Sequence, residues 1–353
     1  MSARNDYRYV VIGAGAIGGC VGGVLARAGV PVVVVARGRN AEVLATDGLT
    51  LRTPDGVVRT PIETASSPDG LHLTERDVLV FATKTQQLDA ALEQWVDRPV
   101  HASDGTVSTA GERLPVLTAL NGVVAEEKAL RYFARVFGVC VWCPAVHLEP
   151  GEVIARSWPV VGQFHIARWP ASIRTSADEE FLADLAATWS TAGIGVRTPD
   201  DVAPWKYNKL LMNLGNAVGA LARQGADVGA VVGAAVAEGV DVLGRAEIDF
   251  VPFETSTLVR SEGPTPRPVP GFEDAPNNST SQSLSRHTGN IETDYLNGEI
   301  VRLAHRYGSA APIHSALTRA ARAASRDGHG PGQYSREQLA GLVGLDSLSA
   351  QRG

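Results

Sequence analysis

Only four lysines, Lys84, Lys128, Lys206 and Lys209, stand beside 28 arginines in this chain of 353 residues. A guanidinium keeps its proton in a protein, whereas an ammonium can release one, so each lysine here is a candidate for acid–base work. Lys209 has the most informative surroundings. Tyr207, Leu210, Leu211, Leu214, Val218 and Leu221 recur at helical spacing, while Lys209 and Asn213, at i and i+4, share a different face with Asn216. An ordinary solvent face would carry Glu, Lys, Arg and Gln, because Asn competes for backbone bonds. A lysine partly desolvated on such a face has its ammonium pKa drawn down and can protonate a developing alkoxide. The competing reading is a solvated lysine four residues before an asparagine.

A second group of residues could hold a phosphate. Gly13-Ala14-Gly15-Ala16-Ile17-Gly18 is a G-x-G-x-x-G placed after the apolar run 8–13 and opening a helix. The first glycine permits the tight turn, the second lets the backbone approach a pyrophosphate, and the third lets helix and strand pack closely. The next apolar run ends in Ala36-Arg37-Gly38-Arg39. An NAD site would place Asp or Glu there for the ribose 2′-hydroxyl, whereas two guanidiniums suit a 2′-phosphate, so NADPH/NADP is expected over NAD. Read without that turn, the two arginines are a solvated loop.

Ligands of open α/β sheets lie beyond the carboxyl ends of strands. Lys84 and Gln87 follow the strand-like run 78–82, and Asn121-Gly122 follows 116–120. Lys84 is otherwise a surface lysine at a helix start, where the positive helix end disfavours it. Asn121 is equally an Asx turn or a cap. A third region joins the hydroxyls Ser279, Thr280 and Ser281 to Glu292 and Asp294. Hydroxyls at such a turn can hold a substrate carboxylate or simply cap a helix.

These residues need a scaffold, and the patterning specifies one. Strand-like runs alternate with helical stretches at 8–13, 15–28, 31–36, 78–82 and 116–120, which predicts an α/β fold with an N-terminal Rossmann-type doubly wound sheet. Runs broken by Pro-Gly at 150–151 and by Pro159 predict an antiparallel extension over 136–166. Helical spacing then dominates, giving an expected C-terminal all-helical domain. The expected boundaries are 1–197, 198–345 and a flexible tail at 346–353. Five prolines in 264–276 mark a loop and a candidate lid.

Composition narrows the function classes. With 44% hydrophobic residues and a net charge of −6, the chain is neither disordered nor a basic nucleic-acid binder. Six glycines interrupt the uncharged stretch 9–26, so it is no membrane segment, and a soluble cytoplasmic protein is expected. Cys140 and Cys143 sit in a strand-like run whose i,i+3 spacing sends their side chains to opposite faces, which favours two small hydrophobes over a redox pair. The eight histidines have no ligand spacing, so no metal site is expected.

Taken in order, V-I-G-A-G-A-I-G at 11–18, V-A-R at 35–37, K-T-Q-Q at 84–87, L-N-G-V at 120–123, P-G-E-V at 150–153, W-K-Y-N-K-L-L-M-N at 205–213, S-T-S-Q-S-L at 279–284 and E-T-D-Y-L-N-G-E at 292–299 resemble the ketopantoate reductase family. The resemblance implies reduction of a small 2-oxo acid with NADPH, in a cleft between a Rossmann domain and a helical domain. It makes Lys209 the general acid. Gly13, Gly15, Ala16, Ile17 and Gly18 become the cofactor turn, with Arg37, Lys84 and Gln87 as further cofactor contacts. Asn121 would orient substrate and cofactor, and Glu292 would meet the cofactor ribose or a substrate hydroxyl. Asn213 would bind the substrate's hydroxyl end, and Ser279, with Thr280 as alternative, its carboxylate. Ser281 stands where the family carries a large side chain, so another 2-oxo acid is the alternative substrate. A non-catalytic NADP(H) sensor is the alternative from another class, and a homodimer is compatible with the helical domain.

Overall fold

Val10, Val11 and the four valines of Val32–Val35 offer no polar face to water, and strands buried on both sides belong in a parallel sheet between two helical layers. The computed structural model, which describes residues 7–273, 280 and 291–345, has that arrangement. In spatial order the main sheet runs Ile194–Arg197, Gly162–Arg168, Arg135–Trp142, Pro115–Thr118, Asp77–Phe81, Arg8–Ile12, Val32–Val35 and Glu63–Ala65. Every adjacent pair is parallel except Arg135–Trp142 against Gly162–Arg168. Tyr9 and Val11 enter one core with Val24 and Leu25 of helix Ala16–Arg27. Val10 and Ile12 enter the other with Leu92 and Trp95 of helix Leu88–Val96. This is the doubly wound sheet that the alternation predicted. The chain moves outward from Arg8–Ile12 to Glu63–Ala65, then returns to the other side of Arg8–Ile12 as Asp77–Phe81, and such a reversal of strand order opens a crevice at the strands' carboxyl ends.

The predicted antiparallel extension is half right. Arg135–Trp142 and Gly162–Arg168 do pair antiparallel, with Cys140 opposite His165. The residues between them leave the main sheet. Glu152–Ala155 pairs parallel with Leu49–Thr53, whose hairpin partner is Gly56–Thr60, and Ala145–Val146 completes a second, four-stranded sheet. Strands this short carry too little pattern to show a partner a hundred residues away. Cys140 packs with Ala167 and Val202, whereas Cys143 borders the core that holds Cys20.

Two compact units result, Met1–Trp205 with Phe253–Ala275, and Lys206–Pro252 with Pro276–Gly353. The division lies at 205/206 rather than 197/198, and Phe253–Ala275 belongs to the first unit rather than to the helical one. That return is well anchored. Arg267 grips the Asp55 carboxylate through two bonds of 2.8 and 3.0 Å, its N–H donates to the Arg156 carbonyl at 2.7 Å, and Val269 and Phe272 pack with Val146 and Ile154. The proline-rich stretch expected to be a loop and candidate lid is therefore, over its described residues, a strap bonded to the first unit. The second unit is helical among its described residues, with Gly215–Leu221, Gly229–Arg245, Asn297–Arg306, Pro312–Arg326 and Arg336–Leu342. Val218, Leu221, Val231, Ala235, Leu317, Ala320 and Leu339 form its core.

The turn after Arg8–Ile12 imposes the tightest steric demand. Gly13 has φ +106°, which side chains disfavour, and a Cβ on Gly18 would lie 1.9 Å from the Gly13 carbonyl oxygen. Gly18→Ala is expected to cost on the order of 2–4 kcal/mol in a denaturant melt, as backbone must shift. Gly70→Ala, whose methyl would meet nothing within 4 Å, is the control and should fall within roughly 0.5 kcal/mol of the parent.

Candidate functional site

In the first unit three segments leave the sheet side by side. Gly13 N–H donates to Val35 O at 3.0 Å, Ala82 N–H to Ile12 O at 2.9 Å and Ala119 N–H to Phe81 O at 2.8 Å. Each bond carries the ladder one residue past its strand, so the glycine turn and the segments holding Lys84 and Asn121 start together at the carboxyl edge. Contact is close enough that a Cβ on Gly13 would sit 2.9 Å from the Ala82 carbonyl oxygen. Helix Ala16–Arg27 begins after Gly15 without a side-chain cap or an acidic residue in its first turn, and Gly19 N–H to Gly15 O, 2.8 Å, closes that turn. The N–H groups of Ala16, Ile17 and Gly18 therefore present the helix's positive end with no acidic residue in that turn to oppose it, the arrangement that receives an anion.

The remaining expected cofactor residues follow the strands that flank this turn or the one beyond. Arg37 is exposed at the start of helix Gly38–Asp47, and its Nη2 donates to Gln94 Oε1 at 2.7 Å. That partner is a neutral amide, which does not offset the guanidinium charge. Arg39 reaches Glu42 at 3.3 Å, a surface pair of little energetic consequence. Lys84 is half-buried before the short turn Thr85–Gln87, Gln87 is exposed and Asn121 is half-buried. Lys128 is explained by structure, since its Nζ lies 2.6 Å from Asp89 Oδ2. Open donors, a cradle too tight for a methyl and a cation beside a neutral partner fit a dinucleotide phosphate.

The second unit holds the expected acid–base group. Helix Ala203–Asn213 carries Lys209 and Asn213, both half-buried, one turn apart. The helical stretch expected to continue through Leu221 is interrupted at Leu214, and Asn216 falls on the next helix, Gly215–Leu221. Leu214 shows the reason. Its N–H takes the tighter i−3 bond to Leu211 O at 3.3 Å, and its carbonyl accepts from Asn297 Nδ2 at 2.9 Å. Asn297 is 1% exposed, and the same amide nitrogen lies 3.2 Å from His314 Nδ1.

That pair of bonds settles the chemistry of a buried network. His314 Nε2 lies 2.9 Å from Ala235 O, which can only accept, so Nε2 carries the proton and Nδ1 accepts from Asn297. A second proton on the ring would confront the Asn297 N–H. Glu238 secures the same histidine by accepting from the N–H groups of Ile313 and His314 at 3.1 and 2.9 Å, capping helix Pro312–Arg326. Burial pushes the Glu238 carboxyl up, and those two backbone bonds pull it back. Asn297 belongs to the segment that begins with Glu292, which is 9% exposed ahead of the turn Thr293–Tyr295. The structure thus brings the Glu292 segment to the end of the Lys209 helix. Thr280 is buried, while Ser279 and Ser281 lie outside the described residues. Sequence reading quoted Asn297 inside its motif without a role and passed over Glu238 and His314, whose partners are fixed only by the helix packing.

A mostly parallel sheet with a glycine turn at its strand reversal, followed by a helical unit carrying a Lys-x-x-x-Asn face, defines a dinucleotide-fold protein with a separate helical unit. Residues 9–170 match the family described as ketopantoate reductase PanE/ApbA and residues 201–325 the family described as its C terminal part. The chain belongs to the ketopantoate reductase family of oxidoreductases. Over 212 residues it is 29% identical to 2-dehydropantoate 2-reductase of Pyrococcus horikoshii, a match spanning 60% of this chain and 62% of that protein. A PanE/ApbA family ketopantoate reductase from Ralstonia eutropha superposes with TM-score 0.69 at 25% identity, covering 91% of this chain and 99% of the other. D-mandelate dehydrogenase in complex with NADH superposes at TM-score 0.70 and 19% identity over 91% and 99%, a likeness of fold. No helix among the described residues is long and apolar enough to cross a membrane.

Burial pushes the His314 imidazole down to about 4, with the Ala235 carbonyl opposing. The folded value lies below the ordinary 6.5, so between pH 6.5 and about 4 the unfolded chain takes up a proton that the native ring refuses. Stability should therefore fall as pH drops through that window, by on the order of 3 kcal/mol in all. Urea melts at pH 7 and pH 4.5 check this, and His314→Gln should show a flatter dependence.

Proposed function

We propose that the protein reduces a small 2-oxo acid with NADPH, ketopantoate (2-dehydropantoate) being the foremost candidate and pantoate the product. The observation that carries this reading is the placement of Lys209 and Asn213 one turn apart on a helix whose end is fixed by Asn297, a member of the Glu292 segment. The bound reduced nicotinamide would supply the hydride. Lys209 then meets the charge that develops on the former carbonyl oxygen, stabilises it and donates the proton that makes it a hydroxyl, leaving a neutral amine to be recharged from water. Asn213 binds the hydroxyl end of the acid, Thr280 or Ser279 its carboxylate, and Asn121 and Glu292 orient the reactants. Gly13, Gly15, Ala16, Ile17 and Gly18 hold the pyrophosphate, Lys84 and Gln87 bind nearby, and Arg37 receives the 2′-phosphate in exchange for its bond to Gln94. On this reading the substrate is a small molecule, the compartment the cytoplasm and a homodimer the compatible assembly. Ser281 in place of a large side chain favours one second reading, a bulkier 2-oxo acid turned over by the same residues.

A spectrophotometric panel of 2-oxo acids tests the reading. NADPH consumption with ketopantoate is expected. Consumption with another acid alone moves the assignment to that substrate, and cofactor binding without turnover on any acid overturns it in favour of a sensor. Lys209→Ala is expected to lower kcat about 10²–10⁴-fold with little change in NADPH affinity. Arg37→Asp should weaken NADPH and favour NADH in paired titrations, since a carboxylate repels the 2′-phosphate and accepts from a ribose hydroxyl.

A further inference from the structure

One polar side chain of the first unit joins three segments that the proposed cofactor site depends on. Asn40 lies in the first turn of helix Gly38–Asp47, three residues after Arg37. Its Nδ2 donates to the carbonyl oxygen of Ala14, inside the glycine turn, at 3.0 Å. Its Oδ1 accepts from the N–H of Gly151, in the Pro-Gly turn between the strands of the second sheet, at 2.7 Å. A backbone carbonyl can only accept and a backbone N–H can only donate, so the orientation of the amide follows from its partners.

Each end of this bridge is held. Gly151 also gives its carbonyl to Thr50 N–H at 2.9 Å, and with φ +73° it occupies a conformation suited to glycine. A Cβ there would meet Val43 Cγ1, on the same helix as Asn40, at 2.4 Å. The Pro-Gly turn is thus a fixed post, and Asn40 spans the gap from it to the glycine turn. At the other end, Ala14 is 6% exposed, so its carbonyl has little access to water as an alternative donor.

A trans peptide points its C=O and its N–H in opposite directions. Holding the Ala14 carbonyl toward Asn40 therefore aims the N–H of the next residue, Gly15, to the other side of the turn, where Gly15 precedes the uncapped helix Ala16–Arg27. We infer that Asn40 is a positioning residue for the dinucleotide: through Ala14 it sets the peptide plane that presents the Gly15 N–H to the cofactor pyrophosphate, and it ties that turn to the helix that starts at Arg37. This rests on the cofactor reading given above. The side chain needs a donor and an acceptor on one short stem. Asp lacks the donor, Ala has neither, and Gln is a methylene too long.

Asn40→Ala should raise the Kd for NADPH, measured by calorimetric titration at 25 °C, at least fivefold, with a parallel loss of the Tm gain on adding NADPH. A role confined to docking the Pro-Gly turn would lower Tm without cofactor and leave that Kd within fivefold of the parent, and this result overturns the inference. Asn40→Asp keeps the acceptor for Gly151 and serves as a second variant should the alanine protein not fold. Its affinity should be reduced at least fivefold in both 0.05 M and 0.5 M salt, because a lost donor is not restored by screening, whereas recovery to the parent value at high salt or parental affinity throughout overturns the inference. If the parent protein binds neither NADPH nor NADH, the cofactor reading itself fails and takes this one with it.

Discussion

Between the Gly13 carbonyl oxygen and the Gly18 α-carbon there is no room for a methyl group, and the chemistry proposed for the first unit is arranged around that contact. It brings the start of helix Ala16–Arg27 down onto the end of strand Arg8–Ile12, directs the helix's unbonded N–H groups at the carboxyl edge of the sheet, and leaves Ala82 and Thr83 packed against the turn. Parallel pairing does the rest, since strands that share a direction deliver their following loops to the same edge. At the far end of the same two strands Arg8 grips the buried Asp77 carboxylate at 2.5 and 2.9 Å, which holds their register away from the site.

The second unit meets a different constraint. Its helices are rich in Ala and Gly and approach closely, so a polar group caught between them is costly unless it is partnered there, and most of the atoms of one buried cluster are, Asn297 Oδ1 being the exception. Asn297 divides its two amide hydrogens between the Leu214 carbonyl and His314, His314 uses both ring nitrogens, and Glu238 caps the helix on which His314 sits. Those bonds each have one permitted direction and together specify one arrangement of helices, and in doing so they fix where the helix bearing Lys209 and Asn213 ends.

Much of this was visible before any coordinates. The valine runs and the spaced glycines could belong to little else, because period, burial on both faces and turn chemistry agree. Lys209 and Asn213 stood out because an amide beside a rare lysine is a poor choice for a helix surface. The failures are equally physical. Ala145–Val146 and Glu152–Ala155 are too short to announce that they leave the main sheet, and the interruption at Leu214 depends on a side chain 83 residues away. Asn40 carries no signal of its own in the sequence, because its two backbone partners come from segments 26 and 111 residues distant. The prolines of 264–270 advertised irregular backbone but not the Arg267 to Asp55 bond that pins it.

The excursion of Phe253–Ala275 into the first unit means that the chain passes from one unit to the other three times, after Trp205, Pro252 and Ala275. A fragment ending at Trp205 would lack the piece that covers Val146 and Ile154 and would leave an apolar patch exposed. Any exchange of one unit for another's would have to cut the chain at all three joints to keep both intact.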